Sequence, residues 1–243
     1  MQEATPAAEP TPAPALAPEH AWLDGGQSYV ACAFYTVNYL PQLLSLKASL
    51  EVFGINHYFK LYERAATWEA TTRIKAQFVK HCLERFPDRD ILYVDADAVV
   101  RQHPSAIDTI KTDIALLFHP VRARRHPMMR ISLGTFFIRN TEGGRRFAGL
   151  WVSQEAKAQL TTCDDDMIIA VFDQLTGVSM TVLPRTYYKV FDQPGEDPVF
   201  EHFQASRSQV KIRNTVRKTL QKAGWTLGIL AVLYFAWRWS HGG

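Results

Sequence analysis

The sequence predicts an α/β fold, in which helices cover a central sheet. First, Ile91–Val94 is a run of four β-favouring residues bounded by Pro87 and polar residues, which indicates a strand buried on both faces. Second, strand-like and helix-like segments alternate along the chain. Third, 243 residues are enough for one sizeable domain with a true core and terminal extensions.

Hydrophobic periodicity places the individual elements. Tyr29–Tyr35 predicts the first strand, and a leucine-rich helical stripe that begins at Pro41 predicts the first helix. Residues 55–61 predict a second strand, and Thr71 or Thr72 is placed to cap the helix that follows. Further along, we expect strands at residues 114–118, 131–138, 178–183 and 187–191, and helices capped by Thr141 and beginning at Asp164.

Charge and composition divide the chain into three parts. Residues 1–26 carry four acidic and no basic side chains and are rich in Ala and Pro, which predicts a disordered arm. The segment after Glu201 carries seven basic and no acidic side chains, so the net charge of +3 belongs to the tail. We therefore expect a folded domain at residues 27–207 and a basic, partly apolar helix at residues 208–243.

The cysteines and the amino terminus bear on the compartment. Cys32, Cys82 and Cys163 are odd in number, widely spaced and without a Cys-x-x-Cys pair. This pattern disfavours a zinc site and predicts reduced thiols in a cytosolic compartment. The amino terminus lacks the positive-then-apolar layout of a secretion signal, so we expect no export.

Asp95 and Asp97 directly follow the predicted strand Ile91–Val94. In extended backbone, residues two apart point the same way, so both carboxylates are expected in the crevice beyond the strand. Two like charges this close call for a cation, and oxygen ligands suit Mg²⁺ or Mn²⁺. A metal with few protein ligands keeps positions open for the phosphates of a nucleotide diphosphate. The alternative is a solvated strand end.

Other candidates lie at the ends of predicted elements. Lys75 or Arg73, near a helix start, would reach a phosphate or lie on a solvated face. Gly134 interrupts a strand, as glycine does where a ligand approaches the backbone closely. The end of the first strand would contact a nucleotide base or hold ordinary core aromatics, and its candidate residues are Phe34, Tyr35 and Thr36.

Two late segments add polar groups. Asp164–Asp166 places three carboxylates at a helix start, where one is enough for capping. His202 lies between aromatic residues and shortly before Ser206 and Arg207, which are types that contact phosphate. The basic, Pro-broken loop at residues 121–130 would bind a phosphate-bearing acceptor or serve solubility alone.

In this order, the segments resemble the GT-A fold glycosyltransferases, especially the glycogenin-like and lipopolysaccharide galactosyltransferase-like enzymes of glycosyltransferase family eight. The resemblance covers about residues 28–207 and implies a Rossmann-like domain that transfers a hexose from a nucleotide-sugar, with UDP-sugar expected. Ile91–Asp97 matches the family's strand and Asp-x-Asp motif, and Ser132–Thr135 matches its Asn-Ser-Gly segment. Asp164–Ile168 matches its Asp-Gln-Asp-x-Leu segment, and Glu201–Phe203 matches the segment with its late metal-ligand histidine.

The resemblance also implies roles for single residues. Asp95, Asp97 and His202 would bind Mn²⁺ or Mg²⁺ on the donor diphosphate, and Asp95 would also contact the ribose. Lys75 would face the nucleotide, and Gly134 would face the donor sugar. Asp164 and Asp165 would contact the sugar hydroxyls or the reacting face of the sugar. Ser206 and Arg207 are the candidates for the phosphate loop.

The chain departs from the family at several positions, which leaves alternatives open. Ser132 replaces Asn, Asp165 replaces Gln, and the late Gly and Lys-Pro-Trp are absent. The donor sugar and the choice between retention and inversion at the anomeric carbon are therefore open. Two other functions also fit the residues: a nucleotidyltransferase, and a nucleic-acid-directed protein that binds or modifies DNA.

The carboxy-terminal segment predicts attachment to a membrane. Apolar residues recur at helical steps beside basic ones from Ile212 to Leu227, and fifteen uncharged residues separate Lys222 from Arg238. As a helix these fifteen reach about 22 Å, short of the roughly 30 Å of a bilayer core. We expect a monotopic or tail-anchored transmembrane helix, the domain on the cytoplasmic face, and an envelope glycan or lipid acceptor. The apolar run disfavours nucleic acid, and a buried helix or dimer contact is the alternative.

Overall fold

The computed structural model describes residues 16–118 and 131–205, and every element below belongs to those residues. The strands are β1 Glu19–Trp22, β2 Tyr29–Tyr35, β3 His57–Leu61, β4 Asp90–Val94, β5 Ala98–Val100, β6 Ile114–Phe118, β7 Ile131–Ile138, β8 Met180–Val182, β9 Lys189–Val190 and β10 Phe200–His202. The helices are α1 Leu40–Val52, α2 Trp68–Arg85, α3 Glu142–Ser153 and α4 Asp164–Phe172.

The larger sheet has the strand order β1-β3-β2-β4-β7-β6-β8. Strands β3, β2 and β4 are parallel to one another, and β8 is parallel to β6. Strands β1 and β7 run antiparallel to their neighbours. Because β3 and β4 lie on opposite sides of β2, the strand order reverses there, and in open α/β sheets ligands bind beyond the carboxyl ends of the strands at such a point.

Helices and the smaller sheet cover the two faces of the larger sheet. Helices α2, α3 and α4 pack on one face, over a core that includes Phe78, Phe136 and Trp151. Helix α1 contributes Leu43 and Leu46 to the core of the other face. These buried apolar stripes are the helical periodicity seen in the sequence, and their burial is the main source of stability.

A smaller sheet of order β5-β10-β9 carries the late histidine. Strand β10 pairs antiparallel with β5, so that His202 lies opposite Ala98, and it pairs parallel with β9. The Phe203 N–H donates to the Asp97 carbonyl at 3.0 Å. Because β5 begins directly after Asp97, this register brings residue 202 to the Asp-x-Asp segment.

The structure corrects three predicted elements. Glu19–Trp22 is not part of a disordered arm, because it pairs with β3 and satisfies the backbone groups of that strand's edge. Helix α2 begins earlier than expected: Thr67, and neither Thr71 nor Thr72, is the cap, and its hydroxyl accepts from the Ala70 N–H. The last predicted strand shortens to Lys189–Val190, which follows a 3₁₀ turn.

Some predictions lie outside the described residues. These are most of the amino-terminal arm, the basic loop, the carboxy-terminal helix, and the site candidates Ser206 and Arg207. Across residues 16–118 and 131–205, no helix combines the length and the apolar character needed to cross a bilayer.

Candidate active site

Asp95 and Asp97 lie in a turn at the carboxyl end of β4. Strand β4 ends at Val94, and the Ala98 N–H donates to the Asp95 carbonyl at 3.0 Å. The extended geometry expected for this pair is therefore wrong, because a turn and not strand alternation brings the carboxylates together. The Asp95 N–H donates to the Gly134 carbonyl at 2.8 Å, which fixes the turn against β7.

Asp95, Asp97 and His202 form one cluster. One possible ligand atom from each residue lies within 4.8 Å of the other two, with both aspartates half-buried and the histidine buried. Two carboxylate oxygens and one imidazole nitrogen are a donor set that suits Mn²⁺ and also accommodates Mg²⁺. The residues therefore fit a divalent cation that keeps coordination positions open for a substrate.

His202 presents a neutral imidazole to this cluster. Burial, helped by the charge of Lys75, lowers the pKa of His202 to about 3, so the ring is uncharged at neutral pH. Its Nε2 lies 2.9 Å from Thr135 Oγ1, and the Tyr188 ring packs against it with centroids 4.2 Å apart. A neutral imidazole has a nitrogen lone pair for a metal, and these neighbours fix the orientation of the ring.

Gly134 lies where Tyr188 and His202 approach β7. A Cβ at this position would lie 2.3 Å from Tyr188 Cε2 and 3.1 Å from His202 Cε1. Glycine is therefore required here because the rings of Tyr188 and His202 pack too closely against this position to leave room for a Cβ. The side chain that approaches Gly134 most closely is that of Tyr188, and the approach of a ligand to this glycine, including its contact with a donor sugar, stays a prediction.

Lys75 is a buried cation at the base of the site. Its Nζ lies 2.7 Å from Asp164 and 3.1 Å from Asp95, and it donates to the Leu133 carbonyl at 2.9 Å. Burial opposes the charge of Lys75, but the two carboxylates outweigh it and raise the pKa well above its ordinary value. The ammonium group expected at the nucleotide thus has three protein acceptors, and its contact with a nucleotide stays a prediction.

The Asp95 carboxylate of this cluster has a raised pKa. Its burial raises the pKa to about 6, the Lys75 charge opposes this rise, and the charges of Asp97 and Asp164 add to it. The Tyr93 hydroxyl donates to Asp95 Oδ1 at 2.9 Å. A bound divalent cation would relieve the repulsion among these carboxylates.

The acidic triplet at the start of α4 is divided among different contacts. Cys163 is the N-cap residue, and its N–H donates to Asp166 at 3.0 Å in a capping box. Asp164 is buried and paired with Lys75, and Asp165 next to it is half-buried. Asp166 serves the cap and Asp164 pairs with Lys75, so capping does not account for every carboxylate of the triplet.

Comparison with solved structures identifies the fold. A glycosyltransferase involved in the glycosylation of the major capsid of PBCV-1 aligns with a TM-score of 0.58 at 15% identity, over 74% of this chain and 96% of that one. The apo form of the glycosyltransferase GlyE from Streptococcus pneumoniae TIGR4 aligns with a TM-score of 0.50 at 13% identity, over 73% of this chain and 54% of that one. No family model and no curated protein matches the sequence.

The chain has the GT-A fold. Within it, the Asp95, Asp97 and His202 cluster lies at the carboxyl end of β4. At these low identities the likeness establishes the fold, so the activity has to be argued from the residues of the site.

The end of β2 lies in the core of this GT-A fold. Phe34 packs against Phe78 and Tyr93 on one face of the sheet, and Tyr35 is buried on the other. Thr36 is buried at the end of the strand. Tyr35 is therefore a core residue and the partly buried Phe34 packs against the core, and the contact of this segment with a nucleotide base stays a prediction.

Sequence reasoning missed Tyr93, Thr135 and Tyr188. Tyr93 lies two residues before Asp95, so its position was a signal that the hydroxyl lies on the side of that carboxylate. Tyr188 gave no local signal, because its contact with Gly134 depends on pairing within the smaller sheet.

Proposed function

We propose that this protein is a metal-dependent glycosyltransferase of the hexosyltransferase type, which moves a sugar from a nucleotide-diphosphate donor to an acceptor. The observation that carries the proposal is the Asp95, Asp97 and His202 cluster at the carboxyl end of β4 in a GT-A sheet. The donor set supports Mn²⁺ or Mg²⁺ as the cofactor. The resemblance of the sequence to family eight supports a UDP-sugar as the donor.

The side chains of the site have distinct proposed roles. Asp95, Asp97 and His202 would bind the cation, which when present stabilises the charge that the leaving diphosphate gains. Lys75 holds Asp95 and Asp164 in place from below. The half-buried Asp165 would stabilise positive charge at the anomeric carbon or accept the proton of the acceptor, and the stereochemistry of the product distinguishes these roles.

A screen of nucleotide-sugars tests the proposal. The protein is incubated with each donor and Mn²⁺, and release of nucleoside diphosphate is measured, because donor hydrolysis needs no knowledge of the acceptor. We expect one or a few UDP-sugars to be turned over, and Asp97→Ala to lower the rate by on the order of 100-fold or more. Asp173→Ala, at an exposed position at the end of α4, is the matched control and should keep full activity.

The products separate this function from its alternatives. A nucleotidyltransferase would release pyrophosphate, and a nucleic-acid-directed protein would bind DNA with a steep dependence on salt. Unchanged turnover in Asp97→Ala would remove the proposed mechanism.

We also propose that the acceptor is an envelope glycan or a lipid and that the protein is peripheral on the cytoplasmic face of a membrane. Only the sequence of residues 208–243, basic and then apolar, supports this. Sedimentation with anionic lipid vesicles at low salt tests it, and complete recovery of the full-length protein in the supernatant would contradict it.

A further inference from the structure

Two neighbouring side chains contact the same carboxylate oxygen of Asp95. The Tyr93 hydroxyl donates to Oδ1 at 2.9 Å, and Lys75 Nζ lies 3.1 Å from the same oxygen. A carboxylate that accepts hydrogen bonds from a hydroxyl and from an ammonium group on the same oxygen is fixed in rotation, and its second oxygen is left for another partner. In Asp95 that second oxygen is Oδ2.

The donor of the first bond is itself held rigidly. Tyr93 is completely buried in β4, and its ring is stacked on Phe136 with centroids 4.8 Å apart and planes 13° apart. Phe78 contacts the ring edge-on, and Lys75 Nζ lies 4.9 Å from the ring centroid. A ring enclosed in this way has one position for its hydroxyl, so the bond to Asp95 has a defined direction.

We propose that Tyr93 is a positioning residue of the metal site: its hydroxyl fixes Asp95 Oδ1 so that Oδ2 faces the cation shared with Asp97 and His202. The inference rests on the proposed metal dependence and extends it to a residue that touches neither substrate nor metal. The physical reason is that a hydrogen bond from a neighbouring residue already holds the metal ligand in its binding orientation, which reduces the conformational entropy that the ligand loses on metal binding.

Mn²⁺ binding tests this directly, without turnover. Tyr93→Phe removes only the hydroxyl and keeps the ring that packs on Phe136 and Lys75. The dissociation constant for Mn²⁺ is measured by electron paramagnetic resonance, with Mn²⁺ alone and with UDP present. We expect it to rise about tenfold in Tyr93→Phe. Tyr58→Phe is the matched control, because Tyr58 is also buried and its hydroxyl contacts His81, so Mn²⁺ affinity should not change.

A thermal unfolding curve of each variant shows whether the fold is kept. A comparable loss of Mn²⁺ affinity in Tyr58→Phe would attribute the effect to stability and overturn the proposal. Unchanged affinity in Tyr93→Phe would also overturn it. If the wild type itself binds no Mn²⁺ in either condition, this inference is wrong, whereas sugar transfer is decided separately by nucleoside diphosphate release.

Discussion

Lys75 shows how burial changes the role of a charged residue. Helical periodicity places it off the apolar stripe of α2, where lysines are usually solvated, yet only 5% of it is exposed. Its partner Asp95 lies in the turn after β4 and its partner Asp164 begins α4, so one ammonium group links α2 to both of these segments. Because a buried charge without a partner costs several kcal/mol, these three residues depend on one another.

At the same scale, Gly134→Ala is predicted to disturb the site. The new Cβ would overlap the Tyr188 ring, so Tyr188 and His202 have to move. We expect the free energy of unfolding to fall by about 1–3 kcal/mol, as for overpacking in other cores, and Mn²⁺ affinity to fall with it. Urea unfolding and Mn²⁺ titration measure the two effects.

Gly149→Ala is the control for Gly134→Ala. Gly149 lies within α3, and a Cβ there would meet nothing within 4 Å. Alanine has the higher helix propensity, so this variant should be more stable by about 0.5–1 kcal/mol and bind Mn²⁺ normally. Equal stability of Gly134→Ala and the wild type would show that the two rings do not require glycine.

At the scale of elements, α2 positions the start of α4. The Arg73 guanidinium donates to the Thr162 carbonyl at 2.9 Å, in the loop before α4. The Thr72 hydroxyl accepts from the Asp164 N–H at 3.4 Å, and Lys75 pairs with the Asp164 carboxylate. Arg73, predicted to reach a phosphate or solvent, therefore contacts the loop that leads to the acidic triplet at the start of α4.

Asp113 joins further elements and gives a pH-dependent prediction. The Thr141 cap of α3 and Ser179 before β8 both donate to it, and these hydrogen bonds hold the pKa of Asp113 below its ordinary value. A lowered folded-state pKa contributes stability above the unfolded value of about 3.9, and that contribution is lost as the pH falls through the folded-state pKa. Asp113→Asn should therefore cost about 1–2 kcal/mol at pH 7 and less below pH ~4.

Urea unfolding of the wild type and Asp113→Asn at pH 7 and pH 3 measures this difference. Asp173→Asn is the control, at an exposed position at the end of α4, and should match the wild type at both pH values. A difference for Asp113→Asn that stays constant with pH would contradict the role of its charge.

At the scale of the whole molecule, two sheets cooperate to make the metal cluster. The larger sheet ends β4 at the Asp95 turn, and the smaller sheet places His202 beside it through the β5–β10 register. A ligand that binds only this assembled site stabilises the native state by mass action. The cluster is therefore expected to couple metal binding to global stability.

Mn²⁺ with UDP is predicted to raise the melting temperature. At concentrations 100 times the dissociation constant, binding adds about 2.7 kcal/mol, which corresponds to roughly 5 °C or more for a chain of this size. Differential scanning fluorimetry should show the shift in the wild type and in Asp173→Ala, and EDTA should reverse it. A full shift in Asp97→Ala would place the binding site elsewhere.

The amino-acid sequence by itself determined the α/β class, the order of most strands and helices, and the place of Asp95 and Asp97 at the end of β4. These features follow from local periodicity, turn residues and caps, which depend on neighbours a few positions away. Tertiary structure alone decided the turn at Asp95, the burial of Lys75, the contact of Tyr188 with Gly134 and the approach of His202. Each depends on strand register and helix packing between distant segments, which local patterns do not encode.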